Sequence, residues 1–293
     1  MLEGIDISKW QSPVNWDLLI NNNNFDFIII KATEGNLYVD PCYNEYWQAL
    51  SAYDIIKGAY HYYRPTYSLS GQASNFFSTA PNIQIPPILD VELYQGYAND
   101  VEYYNNSSRV TIQADLRSML LRLEEAFGRK PIIYTSAGFW NYYVGNAGWE
   151  NEYILWVANY GVSTPRLPYA WSKWLMWQYT GTGRVSGISG DVDLNYFNGD
   201  MDDLQDLISG TTPPLEIETV VNKLIVVETP TLRIRSQPTT LSTIVGTVSK
   251  GMTLVELDEK IISGNTWAKI GYNQWIAKKY GGSQLASYKY REV

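Results

Sequence analysis

Two carboxylates stand two residues apart at the end of an apolar run. Asp90 and Glu92 follow the segment 85–89, which reads Ile-Pro-Pro-Ile-Leu. Residues at i and i+2 of a β-strand point to the same face, so the two carboxyl groups are expected to crowd each other. Crowding raises a carboxyl pKa, which keeps one acid protonated near neutral pH. A glycosidase needs such a pair, one acid for the leaving oxygen and one carboxylate for the charge at the sugar carbon. The alternative is a pair of solvated acids that begin a loop.

The segments around this pair alternate between strand-like and helix-like patterns. Helices are predicted at 40–53, where Asp40 caps and Pro41 takes the first turn, at 69–79, and at 108–127, where apolar residues including Val110 follow a helical period. Eight strands are predicted, at 4–7, 25–33, 58–63, 87–92, 131–135, 154–159, 175–179 and 192–195. This order predicts an α/β fold, a (β/α)-type barrel whose last third loses its helices.

The C-terminal ends of the strands carry the chemistry in such barrels. Here these ends carry carboxylates, aromatic rings and amides at one position after another. A structural role at the barrel mouth explains any one of these residues, but the whole set together indicates a polar binding cleft. The residues are Asp6, Lys31, Glu34, Tyr60, Tyr62, Asp90, Glu92, Tyr134, Trp156, Asn159, Gln178 and Asp193. The single histidine, His61, alternates away from its tyrosine neighbours, so a structural role beneath the helices is predicted for it.

Composition excludes several classes of protein. The net charge of −8 argues against nucleic acid as a partner. One cysteine, Cys42, permits no internal disulfide, and with one histidine it argues against zinc, so no metal or cofactor is predicted. No segment reaches the roughly 18 apolar residues of a spanning helix, so no membrane insertion is predicted. The N-terminus lacks the pattern of a signal peptide, which predicts synthesis in a cytoplasm and action after release.

A change of composition marks a second module. Residues 209–218 read Ser-Gly-Thr-Thr-Pro-Pro-Leu-Glu-Ile-Glu and predict a short, fairly stiff linker between domains 1–208 and 219–293. Up to residue 214 there are 12 basic and 23 acidic residues, and afterwards 10 basic and 7 acidic. Short β segments separated by turn signals follow the linker, and they predict a small all-β barrel.

Several segments, in order, resemble the glycoside hydrolase family 25 muramidases, the family of many phage and bacterial lysozymes. They are GIDISKWQ, FIIIKATEG, GAYHYYRP, PPILDVE, PIIYTS, LWVANY and MWQYTGTGRVSGISGDVDLNYF, and the resemblance spans about residues 3–200. It implies an irregular barrel of five (β/α) units followed by three strands. It also implies hydrolysis of the β-1,4 bond from N-acetylmuramic acid to N-acetylglucosamine in bacterial peptidoglycan.

The resemblance also suggests roles for the strand-end residues. By its position in the motif, Glu92 is the general acid; Asp90 is expected to orient the substrate N-acetyl group or to stabilise positive charge. Asp6 and Asp193 would flank the cleft. The remaining residues are candidates for substrate contacts: Tyr60, Tyr62, Tyr134 and Trp156 by stacking, Gln178 and Asn159 by hydrogen bonds, and Lys31 with Glu34 as a supporting ion pair.

The C-terminal part resembles bacterial SH3-like cell-wall-binding modules. The segments are LRIRSQPTTLSTIVGTVSKGMTLVEL and WAKIGYNQWIAKKY, with Gln237 in place of the usual glycine before proline. The implied partner is a cell-wall polymer or peptide bridge, and the excess of basic charge would assist docking on anionic polymers. Trp267, Trp275, Tyr272 and Tyr280 form either a wall-binding groove or, for the two tryptophans, the core of the module.

Together the two modules resemble a phage endolysin or a bacterial autolysin. The absence of a signal-peptide pattern favours the endolysin, released through a membrane pore that another protein makes. A chitinase of the substrate-assisted type requires a further acid at Ile88, which disfavours it. A non-catalytic wall-binding protein is disfavoured because all four carboxylates are present.

Overall fold

The first part of the chain forms a closed barrel of eight strands. The computed structural model describes residues 1–210, 223–256, 258–271 and 274–288. The barrel strands are β1 (Leu2–Ile7), β2 (Phe27–Glu34), β4 (Ile56–Tyr62), β5 (Ile88–Asp90), β6 (Ile132–Ser136), β7 (Ile154–Ala158), β8 (Met176–Gly183) and β9 (Val192–Phe197), while the short β3 (Tyr38–Val39) pairs only with β2. All eight predicted strands are present, and the predicted α/β barrel is confirmed.

Helices follow the first five barrel strands. They are α1 (Trp16–Asn21), α2 (Tyr43–Ala49), α3 (Leu69–Thr79), α4 (Ala98–Asn106), α5 (Arg109–Phe127), the single turn α6 (Ala137–Phe139) and, after the barrel, α7 (Met201–Ser209). Between residues 154 and 197, where every residue is described, the chain runs through β7, β8 and β9 without a helix. This is the expected arrangement of five (β/α) units followed by three strands.

Two helix predictions need correction. The helix predicted from Asp40 begins at Tyr43, because Asp40 Oδ1 accepts from the backbone N–H of Cys42 (3.0 Å) and its carbonyl accepts from that of Tyr43 (3.0 Å), closing a turn first. Val110 in α5 is exposed, although the helical period placed it on the apolar face. Helices α1, α4, α6 and α7 were not predicted.

The unpredicted helix α7 closes the floor of the barrel. Its Leu204 and Leu207 are buried in one apolar cluster with Phe27, Ile56 and Ile132, which stand at the starts of their strands. Burying these two leucines stabilises the fold by roughly 1.5–3 kcal/mol each. The other end of the barrel, where the parallel strands finish, stays open for polar groups.

Strand direction corrects one further prediction. Seven barrel strands run parallel, but β9 runs antiparallel to both β8 and β1. Asp193 therefore lies near the start of its strand, and the prediction that it ends a strand is wrong. It still reaches the mouth, because the reversed strand brings its beginning to that side and Asp193 stands opposite Asp6 in the pairing.

The C-terminal residues form a separate compact unit of β-strands. One sheet has the order β13-β10-β18 and the other β12-β11-β16-β15-β14, with β17 paired to β16. The strands are β10 (Lys223–Val227), β11 (Thr231–Arg235), β12 (Ile244–Ser249), β13 (Thr253–Glu256), β14 (Asp258–Ile262), β15 (Asn265–Gly271), β16 (Gln274–Tyr280), β17 (Ser283–Gln284) and β18 (Ala286–Tyr288). The predicted linker lies outside the described residues from 211 onward, so the domain boundaries stay a prediction.

Two alternatives for the aromatic residues of this unit are now resolved. Trp267 and Trp275 are buried together with Ala277, so they belong to the core. Tyr280 is 42% exposed, and Tyr272 lies outside the described residues. No helix in the described part of the chain has the length and apolar character to cross a lipid bilayer.

Candidate active site

The mouth of the barrel holds a polar cavity of about 170 Å³. Strand ends from around the barrel contribute to its wall, which explains how residues far apart in sequence meet there. The lining residues are Asp6, Tyr60, Asp90, Glu92, Tyr134, Trp156, Tyr160, Gln178 and Asp193. All four carboxylates singled out from the sequence therefore face one cavity.

Asp6 is held in place by two amides. Its Oδ1 accepts from Gln178 Nε2 and from Asn195 Nδ2, each at 2.8 Å. Asn195 is itself oriented because its Oδ1 accepts from Trp156 Nε1 at 2.9 Å. Burial, followed by the charge of Asp193, raises the pKa of Asp6 well above its usual value, against the effect of the two amides.

Asp90 and Glu92 are the acids beside this network. Asp90 ends β5 and is buried, and its Oδ1 makes no hydrogen bond to any described residue. Burial, followed by the charge of Glu92, raises the pKa of Asp90 well above its usual value. Burial also raises the pKa of Glu92, against the opposing charge of Lys31. Acids that keep a proton at higher pH suit proton donation to a leaving oxygen.

Three of the four predicted stacking residues line the cavity. Tyr60, Tyr134 and Trp156 do so, and Tyr134 donates to Gln178 Oε1 at 2.7 Å. The rings of Tyr134 and Trp156 meet edge to face with centroids 4.7 Å apart, and both belong to the barrel core. Tyr62 lies outside the lining residues, and its hydroxyl accepts from the backbone N–H of Tyr94 at 3.1 Å.

Of the remaining predicted contacts, Gln178 lines the cavity, whereas Lys31, Glu34 and Asn159 lie outside its lining residues. Lys31 and Glu34 form the predicted ion pair at 2.8 Å, and Arg64 Nη1 donates to Glu34 at 2.9 Å. Asn159 completes the end of its strand, because its side-chain oxygen accepts from the backbone N–H of Arg166 at 2.7 Å. These three residues therefore contact other protein groups and do not line the cavity.

Two residues of the site were not predicted from the sequence. Tyr160 lines the cavity and its hydroxyl contacts Gln178 Oε1, but it stands one position past the predicted strand end. Asn195 donates a hydrogen bond to Asp6. It stands two residues after Asp193, so strand alternation places the two side chains on the same face.

His61 has the structural position that strand alternation predicted. It is fully buried, with Nδ1 2.7 Å from Thr33 Oγ1 and Nε2 3.2 Å from Gln72 Oε1. Its ring stacks on Phe76 of α3. Burial lowers the pKa of His61 to about 4, so the ring is neutral, donating through Nε2 and accepting through Nδ1.

A closed (β/α)-type barrel with protonatable carboxylates and aromatic walls at its mouth has the features of a glycoside hydrolase. The sequence model described as Glycosyl hydrolases family 25 matches residues 5–188. The chain therefore belongs to that family and is a glycoside hydrolase.

Among the described residues, no group of three or more His, Cys, Asp or Glu side chains is placed to hold a metal ion.

The similarity to individual relatives covers most of the chain. Lysozyme M1 of Streptomyces globisporus is 36% identical over 206 residues, 68% of each chain. The crystal structure of a bacterial lysozyme from Streptomyces coelicolor is 34% identical with a TM-score of 0.66, covering 72% of this chain and 98% of that one. The CTP1L endolysin is 29% identical with a TM-score of 0.57, covering 72% and 70%.

Asp193 gives a test of the electrostatics. Burial raises its pKa from 3.8 to about 6, so the folded protein keeps a proton that the unfolded chain releases. The stability that this proton supplies is complete below about pH 4 and is lost as the pH rises through 6. Asp193→Asn should therefore raise the free energy of unfolding by about 1–2 kcal/mol at pH 7.5 and leave it unchanged at pH 4. Urea denaturation measures both values, and equal gains at the two pH values would contradict the assignment.

Proposed function

We propose that the protein is an N-acetylmuramidase that hydrolyses the β-1,4 bond from N-acetylmuramic acid to N-acetylglucosamine in bacterial peptidoglycan. The observation that carries this proposal is the Glu92 carboxyl. Its pKa is raised, and it faces one cavity of a family 25 barrel together with three further carboxylates. The relatives named lysozyme and endolysin support the substrate class.

Each carboxylate has a proposed role. Glu92 protonates the glycosidic oxygen as the bond breaks, and Asp90, on the same strand end, orients the N-acetyl group or stabilises the developing positive charge. Asp6, fixed by its two amides, and Asp193 flank the cleft around the sugar carbon. Tyr60 and Tyr160 border the sugar, while Tyr134 and Gln178 hold the hydrogen-bond network behind it.

The biological role proposed is that of a phage endolysin, made in the host cytoplasm and acting on the wall after release. The likeness to the CTP1L endolysin supports this role. A bacterial autolysin would catalyse the same reaction and is the alternative.

The C-terminal unit is proposed to be an SH3-like wall-binding module. Its described strands bury a small apolar core and leave basic side chains such as Arg233, Lys250 and Lys279 exposed, which favours anionic wall polymers. A chain ending at residue 210 should sediment with walls about tenfold less well, a loss of about 1.4 kcal/mol in binding, yet hydrolyse soluble oligosaccharides at the full rate. Equal sedimentation of both proteins would contradict the module's role.

The activity is tested by mass spectrometry of digested peptidoglycan after borohydride reduction. New reducing ends on muramic acid are expected. Reducing ends on glucosamine would show a glucosaminidase instead, and intact glycan that still binds the protein would show a wall-binding protein without activity.

A further inference from the structure

The carboxyl-bearing residue Glu92 belongs to two cavities. On one side is the cavity of the four carboxylates, and on the other lies a cavity of about 310 Å³. The wall of the second cavity includes Glu92, Gln95, Gly138, Phe139, Tyr142 and Tyr143. Glu92 is its single acidic residue among the described residues that line it, so its chemistry differs from that of the first cavity.

An exposed tyrosine in this second cavity is held on a braced turn. Tyr142 is 68% exposed and lies in a short π-helical turn, Trp140–Val144. Arg109 Nη2 donates to the carbonyls of Asn141 (3.1 Å) and Tyr142 (2.8 Å), which fixes the turn. The Tyr142 ring meets that of Tyr143 edge to face, with centroids 4.7 Å apart. The Tyr142 ring is thus held by the Arg109 hydrogen bonds to its turn and by the contact with Tyr143, and its exposed surface is accessible to a ligand.

Such a cavity suits a sugar. Aromatic rings pack against the apolar C–H faces of pyranoses, while polar neighbours bind the hydroxyl and amide groups. Gln95 supplies an exposed amide that makes no hydrogen bond within the described part of the chain. The cavity therefore offers an aromatic stacking surface and a free amide beside the general acid.

We propose that the second cavity is the subsite for the leaving N-acetylglucosamine residue and that Tyr142 is a specificity-determining residue that stacks on it. The inference rests on the proposed function. An acid that protonates a glycosidic oxygen must lie between the two sugars that this oxygen joins. The carboxylates that stabilise positive charge mark the side of the muramic acid, so the leaving sugar lies on the other side of Glu92.

The test uses two variants of the full chain. Tyr142→Ala removes the stacking ring. Gly138→Leu fills the cavity, because a Cβ at Gly138 would meet nothing closer than Ser136 Oγ at 4.0 Å. Each variant is assayed on two substrates. The first is a peptidoglycan tetrasaccharide, whose leaving group is a disaccharide. The second is the glycosyl fluoride of the same donor disaccharide, whose fluoride leaving group occupies no sugar subsite.

We expect both variants to lose about tenfold in kcat/KM on the tetrasaccharide, the equivalent of about 1.4 kcal/mol, and less than twofold on the fluoride. Tyr142→Phe keeps the ring and should recover most of the loss of the alanine variant. Leu121→Ala, on the exposed face of α5, is the control for removing a surface apolar group. Unchanged cleavage of the tetrasaccharide, or equal losses on both substrates, would overturn the subsite. Failure of the wild-type protein to cleave the tetrasaccharide would overturn the proposed function and the subsite with it.

Discussion

Glu92→Gln is expected to lower the rate of peptidoglycan hydrolysis about a thousandfold, within the range known for general acids. A glutamine side chain has nearly the same size and polarity but has no acidic proton to give to the leaving oxygen. Because no described residue hydrogen-bonds to the Glu92 carboxyl, the change removes no bond that the fold needs. The rate is measured from new reducing ends released from purified walls.

The matched control is Glu102→Gln, since Glu102 is an exposed residue of α4 away from the cavity. It should keep the wild-type rate. A Glu92→Gln protein that hydrolyses walls as fast as the control would show that another group is the acid.

Asp90→Asn has the second-largest expected effect, a loss of about a hundredfold in rate. The neutral amide cannot stabilise positive charge at the sugar carbon. The fold should gain stability at the same time, because the buried Asp90 carboxylate has no hydrogen bond on Oδ1 and its pKa is raised. Thermal unfolding at pH 7 should therefore show an unchanged or higher midpoint together with the lost activity.

This combination separates a chemical role from a structural one. Asp54→Asn, at an exposed aspartate, is the control and should change neither quantity. A lower unfolding midpoint in Asp90→Asn would mean that the carboxylate holds the fold together, and its assignment to the reaction would fail.

Much of the barrel could be predicted because its signals are local. Apolar runs bounded by turn residues located all eight strands, and Gly128 marked the end of α5 in a left-handed conformation at φ 64°. Helix α7 was missed because it is mostly polar, and its Leu204 and Leu207 gain their significance only where they close the barrel floor. The start of α2 was wrong because a turn around Asp40 competes with the helix.

The site was predictable in its chemistry but not in its connections. Spacing of two residues paired Asp90 with Glu92, although β5 ends at Asp90 and Glu92 follows it. The predicted strand ends added Asp6 and Asp193, and the family resemblance suggested their roles. No local pattern shows that Asp6 accepts from Gln178 and Asn195, which lie 172 and 189 residues further along the chain. Nor does it show that Asn159 turns its side chain to Arg166.

The sequence by itself determined the strand segments, the acidic chemistry at their ends and the family, because alternation, turns and motifs depend on neighbours in the chain. Only the tertiary structure decided that β9 runs antiparallel and so brings Asp193 to the mouth. It also decided which aromatic rings line the cavity and that Glu92 stands between two cavities. These features depend on closing the barrel, which places residues by their partners across the sheet and not by their spacing along it.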